Sequence, residues 1–160
     1  MKKVVLVFLV MGMLAGAAVQ QAYAQDKKVE FSLNLGVMTY LGSDYSSLAD
    51  FLLAFSPQLD IHVTKGFMIS PEVMVVTDTH FSGAIGFPGV ILNYTGKGFF
   101  VGAGVVLPVS ITEDEGVGSI APKINIGYRG KKVNLTAYLI TSTQQMFSDN
   151  LVGATIGYRF

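Results

Sequence analysis

Apolar and polar residues alternate along eight segments of this chain, and the alternation predicts strands. Successive side chains on a strand point to opposite faces, so each such segment has one apolar side and one polar side. Val29 to Leu41 sets Val29, Phe31, Leu33, Leu35 and Val37 against Glu30, Ser32, Asn34 and Gly36. The second segment, about Phe51 to Val63, sets Leu53, Phe55, Leu59, Ile61 and Val63 against Ser56, Gln58, Asp60 and His62. The third, about Phe67 to Thr77, sets Phe67, Ile69, Val73 and Val75 against Ser70, Glu72 and Met74. The fourth, about Ala84 to Tyr94, is the least regular, and its parity shifts near Pro88-Gly89, which predicts a β-bulge there. Phe99 to Val109, Ile120 to Tyr128 and Val133 to Thr141 make the next three. In the last, Val152, Ala154, Ile156, Tyr158 and Phe160 share one face, and Leu151, Gly153, Thr155, Gly157 and Arg159 share the other.

The connections alternate in length. Thr64-Lys65-Gly66, Thr95-Gly96-Lys97-Gly98 and Gly130-Lys131-Lys132 are tight turns, whereas Gly42 to Asp50, Asp78 to Gly83, Thr112 to Ser119 and Ser142 to Asp149 are longer. Short turns at one end and long loops at the other are the pattern of an antiparallel transmembrane barrel. With eight strands, both termini lie at the short-turn end. Charge sorts the same way. The tight turns carry Lys65, Lys97, Lys131 and Lys132, and the long loops carry Asp44, Asp50, Asp78, Glu113, Asp114, Glu115 and Asp149.

Composition narrows the class. The chain of 160 residues is 51% hydrophobic, yet no apolar run after Ala24 is long enough for a transmembrane helix. High hydropathy delivered in alternation is the signature of membrane-crossing strands. With no cysteine, a disulfide framework, a thiolate metal site and a Cys nucleophile are all excluded. A closed barrel supplies the missing stability, because every strand is paired and no edge is left open. Eleven Lys/Arg face eleven Asp/Glu, and this balance lacks the basic footprint of a nucleic-acid binder. Lys2 and Lys3, the apolar stretch Val4 to Ala18 and the small-x-small site Ala22-Tyr23-Ala24 predict a cleaved signal peptide over 1–24, with the barrel domain over 25–160.

A terminal strand with Ile156, Tyr158 and Phe160 on its apolar face resembles the closing strand of bacterial outer-membrane β-barrels. In that family it is the element that the barrel-assembly machinery recognises. Signal peptide, eight alternating segments, tight turns and terminal Tyr-x-Phe together resemble the small OmpX-like barrels and the transmembrane domain of OmpA-like proteins. The resemblance implies an all-β, eight-stranded antiparallel up-and-down transmembrane barrel in the cell outer membrane, with its N- and C-termini in the periplasm. Its implied partners are outer-membrane lipids and lipopolysaccharide, with the assembly machinery during biogenesis. A monomer without cofactor, metal or the periplasmic peptidoglycan-binding domain of full OmpA-like proteins is the expectation.

Eight strands enclose a lumen that side chains fill, so an open diffusion pore is not expected. Glu30, Asp60, His62, Glu72, Lys123, Arg129 and Arg159 point inward toward the short-turn end and middle, where acids and bases neutralise one another as an ion-pair network. Met38, Tyr40, Met74, Tyr138 and Leu151, with Leu52, Val76, Val106 and Ile140, form an apolar upper lumen. That set either packs the barrel or offers a pocket to a small hydrophobic ligand. His80-Phe81-Ser82 resembles the His-x-Ser element of lipid A deacylases, which are also eight-stranded barrels. This resemblance would make His80 the base and Ser82 the nucleophile. Gly83 stands where that family has Asn, and no acid follows in the fourth strand. Glu113-Asp114-Glu115 reads as a solvated loop rather than a cation site, and Lys27-Lys28 as a flexible lead-in. The expectation is therefore a non-enzymatic envelope or surface-interaction barrel. A lipid A-modifying enzyme and a carrier of a hydrophobic ligand are the alternatives.

Overall fold

A computed structural model describes residues 28–41, 51–81, 83–111, 116–141 and 149–160. The signal peptide expected over 1–24 lies outside the described residues, as do most of the long loops. The strands are β1 (Val29–Leu41), β2 (Leu52–His62), β3 (Phe67–Asp78), β4 (Ala84–Gly96), β5 (Phe99–Val106), β6 (Val109–Ser110), β7 (Ala121–Arg129), β8 (Val133–Ile140) and β9 (Asn150–Arg159). Apart from the short β6, each strand pairs antiparallel with the next, β5 with β7, and β9 pairs β1, so the sheet closes on itself. β5 and β6 are two pieces of one stave. Both pair with β4, and the amide of Leu107 between them donates to the Pro88 carbonyl at 2.9 Å. Pro108 interrupts the stave because it has no N–H to give the ladder. The architecture is thus an eight-staved closed antiparallel barrel, and among the described residues no helix is long and apolar enough to cross a membrane.

Alternation decides which way each residue faces. Ser32, Asn34, Met38, Ser56, Asp60, Ser70, Glu72 and Met74 are buried in the lumen. Leu35, Val37, Leu53, Phe55, Leu92, Val101, Ile126, Leu135 and Ile156 stand exposed outside. A soluble β-barrel would show the reverse. An exposed apolar band around the whole circumference is instead what a hydrocarbon solvent requires.

The bulge expected at Pro88-Gly89 is not formed. β4 runs against β3 without a register break from Phe67↔Tyr94 to Thr77↔Ala84. Phe87, Ile91 and Asn93 are buried, while Val90, Leu92 and Tyr94 are exposed. The parity never shifts. It only looks shifted because Ile85, Phe87 and Ile91 are apolar residues on the inner face, where the upper lumen is apolar too. Alternation loses its contrast when both faces are greasy.

Candidate functional site

The lumen changes character with height. At its short-turn mouth lies a cavity of about 280 Å³, whose lining includes Lys28, Glu30, His62, Lys97, Arg129 and Arg159. Glu30, His62, Arg129 and Arg159 converge because they sit on the inward parity of β1, β2, β7 and β9 at their lower ends, while Lys28 precedes β1 and Lys97 lies in the β4–β5 turn. Glu30 is the hub. Its carboxylate accepts from Arg129 Nη2 at 2.5 Å and lies 2.6 Å from Lys28 Nζ and 3.3 Å from Arg159 Nη1. His62 Nε2 stands 3.5 Å from the same carboxylate. Lys28, expected as a flexible lead-in, is instead an ion-pair partner, and its carbonyl accepts the His62 amide at 3.0 Å.

Arg129 reaches across the lumen to a second acid. Its Nη2 donates to Asp60 Oδ2 at 2.7 Å. The other oxygen of Asp60 accepts from Gln58 Nε2 and from the Ser70 hydroxyl, both at 2.7 Å. Ser70 in turn accepts from Asn93 Nδ2 at 2.9 Å. One connected network thus ties β7 to β1, β2, β3 and β4. A carboxylate only 2% exposed is tolerable because its oxygens are met by a guanidinium and two neutral donors. Arg159 also donates to the Gly130 and Lys131 carbonyls, at 2.5 and 2.6 Å, which ties β9 to the turn between β7 and β8.

The middle of the lumen is an amide layer. Asn134 Nδ2 donates to Asn34 Oδ1 at 2.9 Å, and Asn34 Nδ2 donates to the Ser56 carbonyl at 2.9 Å. Gly157 lies between Asn34 and Asn134 in the sheet. A Cβ there would come within 1.9 Å of Asn34 Oδ1 and 2.1 Å of Asn134 Oδ1, so only glycine lets the two amides meet. Gly102 lies in the same way between Asn93 and Asn125, where a Cβ would come within 2.1 Å of Asn93 Oδ1 and 2.4 Å of Asn125 Oδ1.

Above this layer Lys123 of β7 pairs with Glu72 of β3, with side chains 3% and 4% exposed. The ammonium also sits 4.6 Å from the centre of the Tyr138 ring. The seven inward acidic and basic residues therefore divide into two groups: a mouth network around Glu30 and Asp60, and the separate Glu72–Lys123 pair. A space of about 10 Å³ between Ser56, Asn125, Tyr138 and their neighbours has the room of a single water, not of a ligand.

The upper lumen is a hydrophobic cluster. Met38, Met74, Tyr138 and Leu151 pack there with Val76, Val106, Ile140 and Phe87, and Tyr40, Leu52 and Ile85 lie against them. Phe87, Ala54 and Ala121 belong to this cluster and were not singled out from the sequence. Phe87 had a signal, since it lies an even number of residues from Asn93 and Ile91 and so shares their face.

His80 sits at the exposed tip after β3. Its backbone N–H donates to Asp78 Oδ1 at 3.1 Å, and its ring Nδ1 faces the Thr79 hydroxyl at 3.4 Å. Ser82 and Glu113-Asp114-Glu115 lie outside the described residues. Among the described residues no group of acids and histidines is arranged to hold a metal. Ile156, Tyr158 and Phe160 face outward at the end of β9, where Tyr158 and Phe160 pack edge to face at 5.0 Å.

No family model and no curated protein matches this sequence. Solved structures do share its fold. The solution structure of the de novo designed protein TMB2.3 is similar at 12% identity over 84% of this chain and 94% of that one, with a TM-score of 0.53. The backbone structure of the Yersinia pestis outer membrane protein Ail in a phospholipid bilayer nanodisc is similar at 10% identity over 83% of this chain and 100% of that one, with a TM-score of 0.50. At such identities the likeness concerns fold. That fold is the one the OmpX-like resemblance implied, a small membrane-spanning β-barrel of the outer-membrane type.

Proposed function

We propose that this chain is an integral outer-membrane barrel with an occluded lumen, whose outer loops carry a non-enzymatic role in envelope integrity or surface interaction. Both termini then lie in the periplasm. One observation supports occlusion above all: Met38, Met74, Phe87, Val106 and Ile140 fill the lumen above the Glu72–Lys123 pair, each no more than 1% exposed. A hydrated ion crossing that layer would shed its water against apolar side chains, at a cost that nothing there offsets. Purified barrel in planar bilayers is expected to give no steady single-channel conductance. A large steady conductance of the wild type would overturn the occluded reading.

What supports a non-enzymatic role is the setting of His80. It lies on an exposed tip, and its Asp78 neighbour takes the backbone amide of His80. A general base needs a positioned imidazole next to its nucleophile. Incubation of the purified barrel with lipid A is expected to release no fatty acid. Release that disappears in His80→Ala and Ser82→Ala would establish the deacylase alternative.

A further inference from the structure

The short-turn end repeats one arrangement three times. The β2–β3 turn holds Lys65, and Thr64 Oγ1 accepts from the Gly66 and Phe67 amides at 3.3 and 3.1 Å to fix it. Just beneath, Phe67 packs edge-on against Tyr94 at 5.3 Å. The β4–β5 turn holds Lys97 at φ 50° and Gly98 at φ 86°, the paired left-handed residues of a tight type I′ hairpin. Beneath it Phe99 packs edge-on against Tyr128 at 5.3 Å. The β7–β8 turn holds Lys131 and Lys132, closed by the Gly130 amide donating to the Val133 carbonyl at 2.8 Å. Beneath it Tyr158 packs on Phe160, and Lys132 Nζ lies 5.9 Å from the Tyr158 ring.

We propose that this collar of turn lysines over outward aromatic pairs is a binding surface for the anionic headgroups of phospholipids in the adjacent leaflet. The proposal rests on the membrane-barrel reading. Aromatic pairs on the outer face sit at headgroup level in a bilayer, because their rings are apolar and their hydroxyls polar. The lysines then stand one step farther out, where phosphates lie. All four are exposed, and no acidic residue shares their turns. The acids described at this end, Glu30 and Asp60, face inward and are matched by Arg129, Arg159 and Lys28. The outward field of this rim is therefore positive. Lys65 and Lys97 also border the mouth cavity, but a soluble anion there would meet the Glu30 carboxylate, which already holds Lys28, Arg129 and Arg159.

Spin-labelled lipids added to the barrel in phosphatidylcholine vesicles test this directly. Spin-labelled phosphatidylglycerol is expected to exceed spin-labelled phosphatidylcholine at the protein boundary by about fivefold at low salt, the worth of one lysine near a charged surface. The excess should vanish in about 0.5 M salt, where screening is short-ranged. It should vanish as well in the variant Lys65→Gln/Lys97→Gln/Lys131→Gln/Lys132→Gln. Equal association of the two lipids with the wild type, or a preference that survives salt or the variant, would overturn the proposal while leaving the barrel reading intact. Absence of any motionally restricted lipid would overturn both. If the variant fails to fold, the salt dependence of the wild type still decides.

Discussion

Lys123→Met is expected to destabilise the barrel by about 3–5 kcal/mol, the cost of leaving one member of a buried ion pair alone. Glu72 would be left in a place 4% exposed, with its ammonium partner gone. Glu72→Leu should cost less than Lys123→Met, because the orphaned ammonium still has the Tyr138 face, worth about 1 kcal/mol. The double variant Lys123→Met/Glu72→Leu should recover most of the loss, since two apolar side chains of similar volume continue the cluster above. Urea midpoints of the barrel reconstituted in lipid vesicles measure all three. If Lys123→Met alone changes stability by less than about 0.5 kcal/mol, the range of a neutral surface change, the pair is not holding the lumen together.

The fold was legible because hydrocarbon outside and polar groups inside give a strand its maximum contrast. β1 is the clear case, with Phe31, Leu33, Leu35 and Val37 outside and Ser32 and Asn34 inside. Contrast failed in β4, where Phe87 faces an apolar upper lumen, and the failure looked like a bulge. At Leu107-Pro108 the fifth segment breaks into β5 and β6 for a different reason, the missing N–H of Pro108. The inward charges could be read one by one from parity. Their partners could not. Arg129 meets Glu30 and Asp60 from 99 and 69 residues away, and Lys123 meets Glu72 from 51. Those pairings depend on which staves face each other across a closed barrel and at what height, which no single segment encodes. Lys28 illustrates the same limit. It lies just before the first strand, and only the pairing of β1 with β2 on one side and β9 on the other makes that position the edge of a charged mouth.

Ile124→Arg tests the orientation on which the lumen, the collar and the membrane reading all depend. Ile124 is 48% exposed on the outer face of β7. It lies four residues above Tyr128 of the aromatic girdle, about 10 Å along a tilted strand and so near the middle of an apolar band about 25 Å tall. An arginine there must either carry its charge into hydrocarbon or bend toward the interface, and the expected loss is about 2–4 kcal/mol. Val133→Arg supplies the comparison. Val133 is equally outward, at 45% exposure, but begins β8 beside the turn lysines, where the guanidinium reaches headgroups and the loss should be about 0–1 kcal/mol. The difference between the two variants, read from urea titrations in lipid vesicles, isolates depth in the bilayer from the mere introduction of a charge. A barrel whose outer face met water would tolerate both substitutions alike, within about 0.5 kcal/mol. Equal small losses at Ile124 and Val133 would therefore sink the membrane-spanning assignment itself.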